Sequence, residues 1–168
     1  MKQLLTTLVI FSISSLLFVA CNDKTASTTN EEIKPTFDIG GAKKTIDSLN
    51  VEFGTLVSKA DTVGLAALYT SDGKIMPPNY PAATGRSGIQ STFSGLFAAT
   101  GPIGLTLIAN DVWGTEALVS EEGSYTMTDK GGKQIDKGKY IVLWKMEDGK
   151  WKIFRDIFNS DNPPPPAR

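Results

Sequence analysis

Arg155 and Asp156 form the ionisable pair with the most chemical promise in the chain. They stand among Ile153, Phe154, Ile157 and Phe158, in a stretch that reads as a strand. Adjacent strand residues point to opposite faces, so only one of the pair faces an interior space unless a bulge intervenes. An inward Asp156 is a candidate general base, with a desolvated carboxyl and a raised pKa. An inward Arg155 is a candidate clamp for an anion through its guanidinium fork. The plainer alternative is a structural ion pair, or hydrogen bonds to loops at a rim. Tyr69, Met76, Asn79, Phe93, Tyr125, Tyr140 and Trp144 are candidate walls of a small-molecule pocket, where aromatic surface meets a few polar groups. The same residues also suit an ordinary core in which Tyr and Trp tips find partners. Asn79 lies in a Pro-rich loop, where an Asx turn is the alternative. Glu121 and Glu122 are expected to be solvated or edge charges, and Asp72 a turn former.

Composition narrows the chemistry. The chain has 168 residues, a formal net charge of −1 and no basic block. That balance argues against nucleic-acid binding. Histidine is absent, which removes Ser-His-Asp and Cys-His nucleophiles and every His-based metal site. No EF-hand spacing, phosphate loop or GxGxxG occurs. No metal and no cofactor is therefore expected, and any chemistry falls to carboxylates, Tyr, Lys or Arg. The single cysteine, Cys21, leaves none for a disulfide, so the domain must rest on its core.

The elements that would position these groups follow from periodicity. Ile39, Ala42, Ile46, Leu49, Phe53, Leu56, Val57 and Ala60 recur at three and four, which predicts an amphipathic helix over 41–60. Asp61 reads as an N-cap for a short helix over 62–69. Ser71-Asp72-Gly73 reads as a turn, and 74–76 as a short strand stopped by Pro77-Pro78. A third helix is expected over 86–99, with Ile89, Phe93, Leu96 and Phe97 on one side. After Gly101-Pro102 the period becomes two, predicting strands over 103–113, 117–128, 134–146 and 151–158 joined by Gly-containing hairpin turns. This order implies an α+β domain, with helices on one face of a curved antiparallel sheet. The run Tyr140-Ile141-Val142-Leu143-Trp144 is apolar throughout, so both faces of the sheet are expected to be covered. Helices cover one face. A second copy of the chain, giving a homodimer, covers the other; loops or plain exposure are the alternative.

The first residues carry a different message. Lys2 precedes an uncharged, mostly apolar stretch over 4–20, short of the ~20 residues a membrane span needs and suited to a secretory signal. Phe18-Val19-Ala20-Cys21 resembles a bacterial lipobox, with Phe18 where Leu is usual. The resemblance implies cleavage after residue 20 and lipidation of Cys21, which would hold the protein to a membrane of the cell envelope, facing the periplasm or the exterior. Multiple acyl chains give durable anchoring. The expected organisation is a signal peptide over 1–20, anchor and polar tether over 21–37, one domain over 38–161, and a Pro-rich tail over 162–168.

The order of elements resembles the nuclear-transport-factor-2-like fold in its SnoaL-like, ketosteroid isomerase-like branch. The stretches that carry the likeness are Asp61-x-x-Gly64-Leu65-Ala66-Ala67-Leu68-Tyr69-x-x-Asp72, Met76-Pro77-Pro78-Asn79, Gly85-Arg86-x-x-Ile89-x-x-x-Phe93, Gly138-Lys139-Tyr140-x-x-x-Trp144-Lys145, and the run from Asp148-Gly149-Lys150-Trp151 through Arg155-Asp156 to Asn159-Ser160-Asp161. The resemblance implies a cone-shaped curved sheet with three N-terminal helices on its concave face, a pocket in the cone, and dimers. The family includes isomerases, cyclases, dehydratases and epoxide hydrolases beside binding and scaffolding domains, so fold alone does not assign activity. The base of ketosteroid isomerases would fall here at Met76 or Pro77, and neither can accept a proton. The expected function is therefore an anchored domain binding a small, mostly apolar molecule. An isomerase, dehydratase or hydrolase using Asp156 or a Tyr is the alternative, and a protein-interaction or scaffolding domain the third.

Overall fold

The computed structural model describes residues 36–163. The expected signal peptide, Cys21, all but the end of the tether, and most of the Pro-rich tail lie outside the described residues.

Asp38 starts the first helix, α1 (Ile39–Ser58), by accepting the Gly41 amide hydrogen bond at 2.9 Å on Oδ1. Its buried side is Ala42, Ile46, Asn50, Phe53 and Val57, the predicted stripe with a polar residue set into it. Ala60 adopts a left-handed φ of 52° and the Asp61 amide returns to the Leu56 carbonyl at 3.0 Å, closing the helix. Asp61 then caps α2 (Thr62–Ala67) through the Gly64 amide, as expected. Tyr69 belongs not to this helix but to the first residue of β1 (Tyr69–Met76). Ser71-Asp72-Gly73 is no turn either: it lies within β1, where the register against its neighbour shifts between Tyr69 and Lys74. The short β2 (Ala83–Thr84) leads into α3 (Gly85–Thr100).

The remaining chain is a meander of long strands: β3 (Gly104–Thr115), β4 (Leu118–Thr128), β5 (Gln134–Glu147) and β6 (Lys150–Ser160). They form one six-stranded curved sheet in the order β2-β1-β6-β5-β4-β3. All neighbours are antiparallel except β1 and β6, which run parallel. The parallel pair arises because α3 carries the chain away from β1 and the meander returns to it last. α1 packs on β3, and α3 on β1 and α2. The apolar run on β5 divides by parity: Tyr140, Val142 and Trp144 are buried, whereas Ile141 is exposed on the outer face.

Two extra residues set which side chains face inward. Asn110 has no partner on β4, so β3 carries a bulge there. On β6, Leu143 pairs with Arg155 and Trp144 with Ile153, so Phe154 is the extra residue. The bulge reverses parity, with Trp151 and Ile153 inward before it and Asp156 inward after it.

Candidate functional site

A cavity of about 80 Å³ lies between α1, α3 and the concave face of the sheet. That is room for several waters or one compact organic molecule. α1 contributes Asn50, Phe53 and Val57, and α3 contributes Phe93 and Leu96. Leu105 and Leu107 of β3, and Tyr125 and Met127 of β4, form one side. Tyr140, Val142 and Trp144 of β5, with Ile153, Asp156 and Phe158 of β6, form the other. Phe53 and Phe93 meet edge to face across the helix interface, with ring centroids 5.9 Å apart.

Of the candidate walls, Phe93, Tyr125, Tyr140 and Trp144 line the cavity. Tyr69 stands behind it, fully buried, and its hydroxyl donates to Asp156 Oδ2 at 2.6 Å. Met76 is not a wall residue, because inward Ile75 beside it turns Met76 to the opposite face. Asn79 is an exposed turn residue with φ 63°, a left-handed backbone that Asn tolerates. Arg155 is outside as well. Its guanidinium lies over the Phe154 ring at 3.6 Å and donates to the carbonyls of Phe154 and Asp72. Arg155 and Asp156 are therefore not an ion pair: as strand neighbours they face opposite sides of the sheet, and the Phe154 bulge makes Asp156 the inward one.

Asp156 holds a carboxyl in the wall of the cavity at 8% exposure. Burial pushes its pKa from 3.8 up to about 6; the Tyr69 hydrogen bond opposes the shift, and the nearby Glu121 charge adds to it. The Tyr69 hydroxyl is held well above its usual range by burial and by Asp156, so it remains a proton donor.

Glu121 is the residue that departs most from its expected place. It is 0% exposed. Its Oε1 accepts from Asn50 Nδ2 at 2.6 Å and from the Tyr140 hydroxyl at 2.7 Å, and its Oε2 accepts from Trp144 Nε1 at 2.8 Å. Buried carboxylates survive only with such partners. The sequence holds a signal for it, since Val119, Glu121, Gly123 and Tyr125 alternate on one face. Asn50 has one too, lying four residues after Ile46 on the apolar stripe. Burial, with Glu121 next to it, raises the Tyr140 pKa, so this hydroxyl also stays a donor.

Two cross-strand Gly–Tyr pairs shape this wall. Gly123 is opposite Tyr140 and Gly138 opposite Tyr125. A Cβ on Gly123 would stand 2.1 Å from the Tyr140 ring. Gly123→Ala should push that ring aside, weaken its bond to Glu121, and cost about 2–3 kcal/mol of stability. Urea unfolding of the variant measures it.

A curved sheet wrapped by helices around a cavity defines a cystatin-like, nuclear-transport-factor-2-like α+β domain. A family model, the SnoaL-like domain, matches residues 51–154. That is more than half of the chain, which belongs to this family. No curated protein matches. Solved structures do. A protein of unknown function with a cystatin-like fold from Nostoc punctiforme is 16% identical, covers 71% of this chain and 90% of its own, and has a TM-score of 0.66. A nuclear-transport-factor-2-like protein from Novosphingobium aromaticivorans is 16% identical over 69% of this chain and 79% of its own, with a TM-score of 0.60. A ketosteroid isomerase-like protein from Erwinia carotovora is 22% identical over 71% of this chain and 96% of its own, with a TM-score of 0.59. At these identities the likeness is one of fold.

Proposed function

We propose that this chain is a membrane-anchored extracytoplasmic protein whose domain binds a small, mostly apolar molecule. The observation that carries the reading is the cavity, walled by aliphatic and aromatic side chains and touched by very few polar groups. The anchor, and with it a location in the cell envelope, rests on the lipobox-like Phe18-Val19-Ala20-Cys21 and the polar stretch that follows. Ile141 and Ile157 pair across β5 and β6, both exposed on the outer face. A second copy of the chain would sit there, and sedimentation of the full chain would read the dimer. A thermal-shift screen of the full chain against compact apolar metabolites tests the cavity. Hits should raise the melting temperature, because a ligand that binds only the folded state stabilises it. A screen without hits contradicts the reading.

One observation favours a second reading, a cofactor-independent enzyme of proton-transfer or water-addition type. Asp156 is a desolvated carboxyl in the cavity wall with its pKa pushed up to about 6, a suitable acid-base group near neutral pH. The Tyr69 hydroxyl holds it in place. Under this reading Asp156→Asn abolishes turnover of a screened hit while the hit still binds. The open cavity gives no support to a purely scaffolding domain, for which a collapsed core would be expected.

A further inference from the structure

We propose that the cavity selects a small organic cation, a compact alicyclic or aromatic amine whose ammonium is seated against Asp156. The proposal rests on the cavity being a ligand site and adds the ligand's charge.

The charge distribution of the site motivates it. Two carboxylates, Glu121 and Asp156, are buried at or beside the cavity. No Lys or Arg among the described residues lines it. The ion pairs among the described residues are Lys43–Asp47, Arg86–Glu147 and Lys139–Asp161, and none includes either buried acid. Buried charge without an opposite charge is unfavourable, and a cationic ligand would supply the missing partner.

Free acceptor positions point the same way. Asp156 Oδ2 takes the Tyr69 hydroxyl, whereas Oδ1 receives no donor from the described residues. No fully buried side-chain oxygen or nitrogen among those residues lacks a partner. Oδ1 therefore keeps contact with open space, and for Asp156 that space is the cavity it lines. Asn50 repeats the pattern. Its Nδ2 must face Glu121, because only the amide nitrogen can donate to a carboxylate, so Oδ1 is its remaining acceptor. An ammonium offers three donors and no acceptor. The rings of Phe53, Phe93, Tyr140, Trp144 and Phe158 surround the same space, and aromatic faces attract cations. Glu121 has both oxygens occupied, so it acts through its field rather than by contact.

The test is a calorimetric titration of the full chain with three compounds of one shape: cyclohexylamine, cyclohexanol and cyclohexanecarboxylate. The amine should bind at least about tenfold more tightly than the alcohol at pH 8, with the carboxylate weakest. Lowering the pH to 5 protonates Asp156 while the amine stays charged. The amine should then lose most of its advantage, with the alcohol unchanged. Asp156→Asn should remove the advantage at pH 8. If amine and alcohol bind alike, or the advantage survives at pH 5 or in the variant, the proposal is overturned although the cavity remains a ligand site. If none of the three binds, both this proposal and the binding reading lose their support.

Discussion

Glu121→Ala is expected to destabilise the domain by about 5 kcal/mol. The magnitude follows from three stranded donors, Asn50 Nδ2, the Tyr140 hydroxyl and Trp144 Nε1, at ~1–3 kcal/mol for each buried group left unpaired. Domains of this size have only about 5–15 kcal/mol in hand, so the variant should be largely unfolded at modest urea. Glu121→Gln should be milder. Its amide oxygen still accepts from Trp144, and its amide nitrogen can donate to the Tyr140 oxygen, which turns acceptor. Glu122→Ala, one residue along on the exposed face, should shift stability by no more than about 0.5 kcal/mol. Equal effects at 121 and 122 in urea unfolding would remove the buried network from the account.

Asp156→Asn should act in the opposite direction and make the protein more stable at pH 8. The native pKa of Asp156 is raised from 3.8 to about 6. Between those values the folded state binds more protons than the unfolded state. Stability therefore falls as pH rises through that window, and the loss is complete above it. A rise of that size corresponds to about 3 kcal/mol, the upper bound of the gain from Asn at pH 8. The gain should shrink as pH falls toward 4 and vanish below about pH 3, where the carboxyl is neutral in both states. Glu147 works with the opposite sign. Hydrogen bonds from Ser71, and then Arg86, hold its pKa below the usual 4.5, so its contribution is lost as pH falls. It is the same in both proteins and cancels in the difference. Guanidinium unfolding of both proteins from about pH 3 to 8 measures the effect. A variant no more stable than the parent at pH 8 contradicts the burial of a free carboxylate.

Periodicity carries most of the architecture. The stripe of α1, the Asp61 cap and the meander are legible because they depend on neighbours in sequence. The site is legible only in part, because it depends on register. Whether Arg155 or Asp156 faces inward turns on one extra residue, Phe154, and nothing local marks a bulge there. Ser71-Asp72-Gly73 has turn composition, yet it lies inside β1, in the stretch between Tyr69 and Lys74 where the register against β6 shifts. Met76 lies on the face opposite to the expected one for the same reason: one residue of parity decides it. Glu121 differs in kind. Its alternation with Val119 and Tyr125 is visible in the sequence. A buried carboxylate, however, requires donors from α1 and β5, 71, 19 and 23 residues away in sequence.

The claim that the cavity is a binding site is tested most directly by filling it. Leu107 lines the cavity from β3 and is only partly buried, so Leu107→Trp can place an indole in the space without dismantling the core. Titration calorimetry with cyclohexanol and cyclohexylamine should give saturable binding to the parent chain and none to the filled variant, with both proteins folded by circular dichroism. Binding that is absent from the parent, or unchanged in Leu107→Trp, contradicts the account.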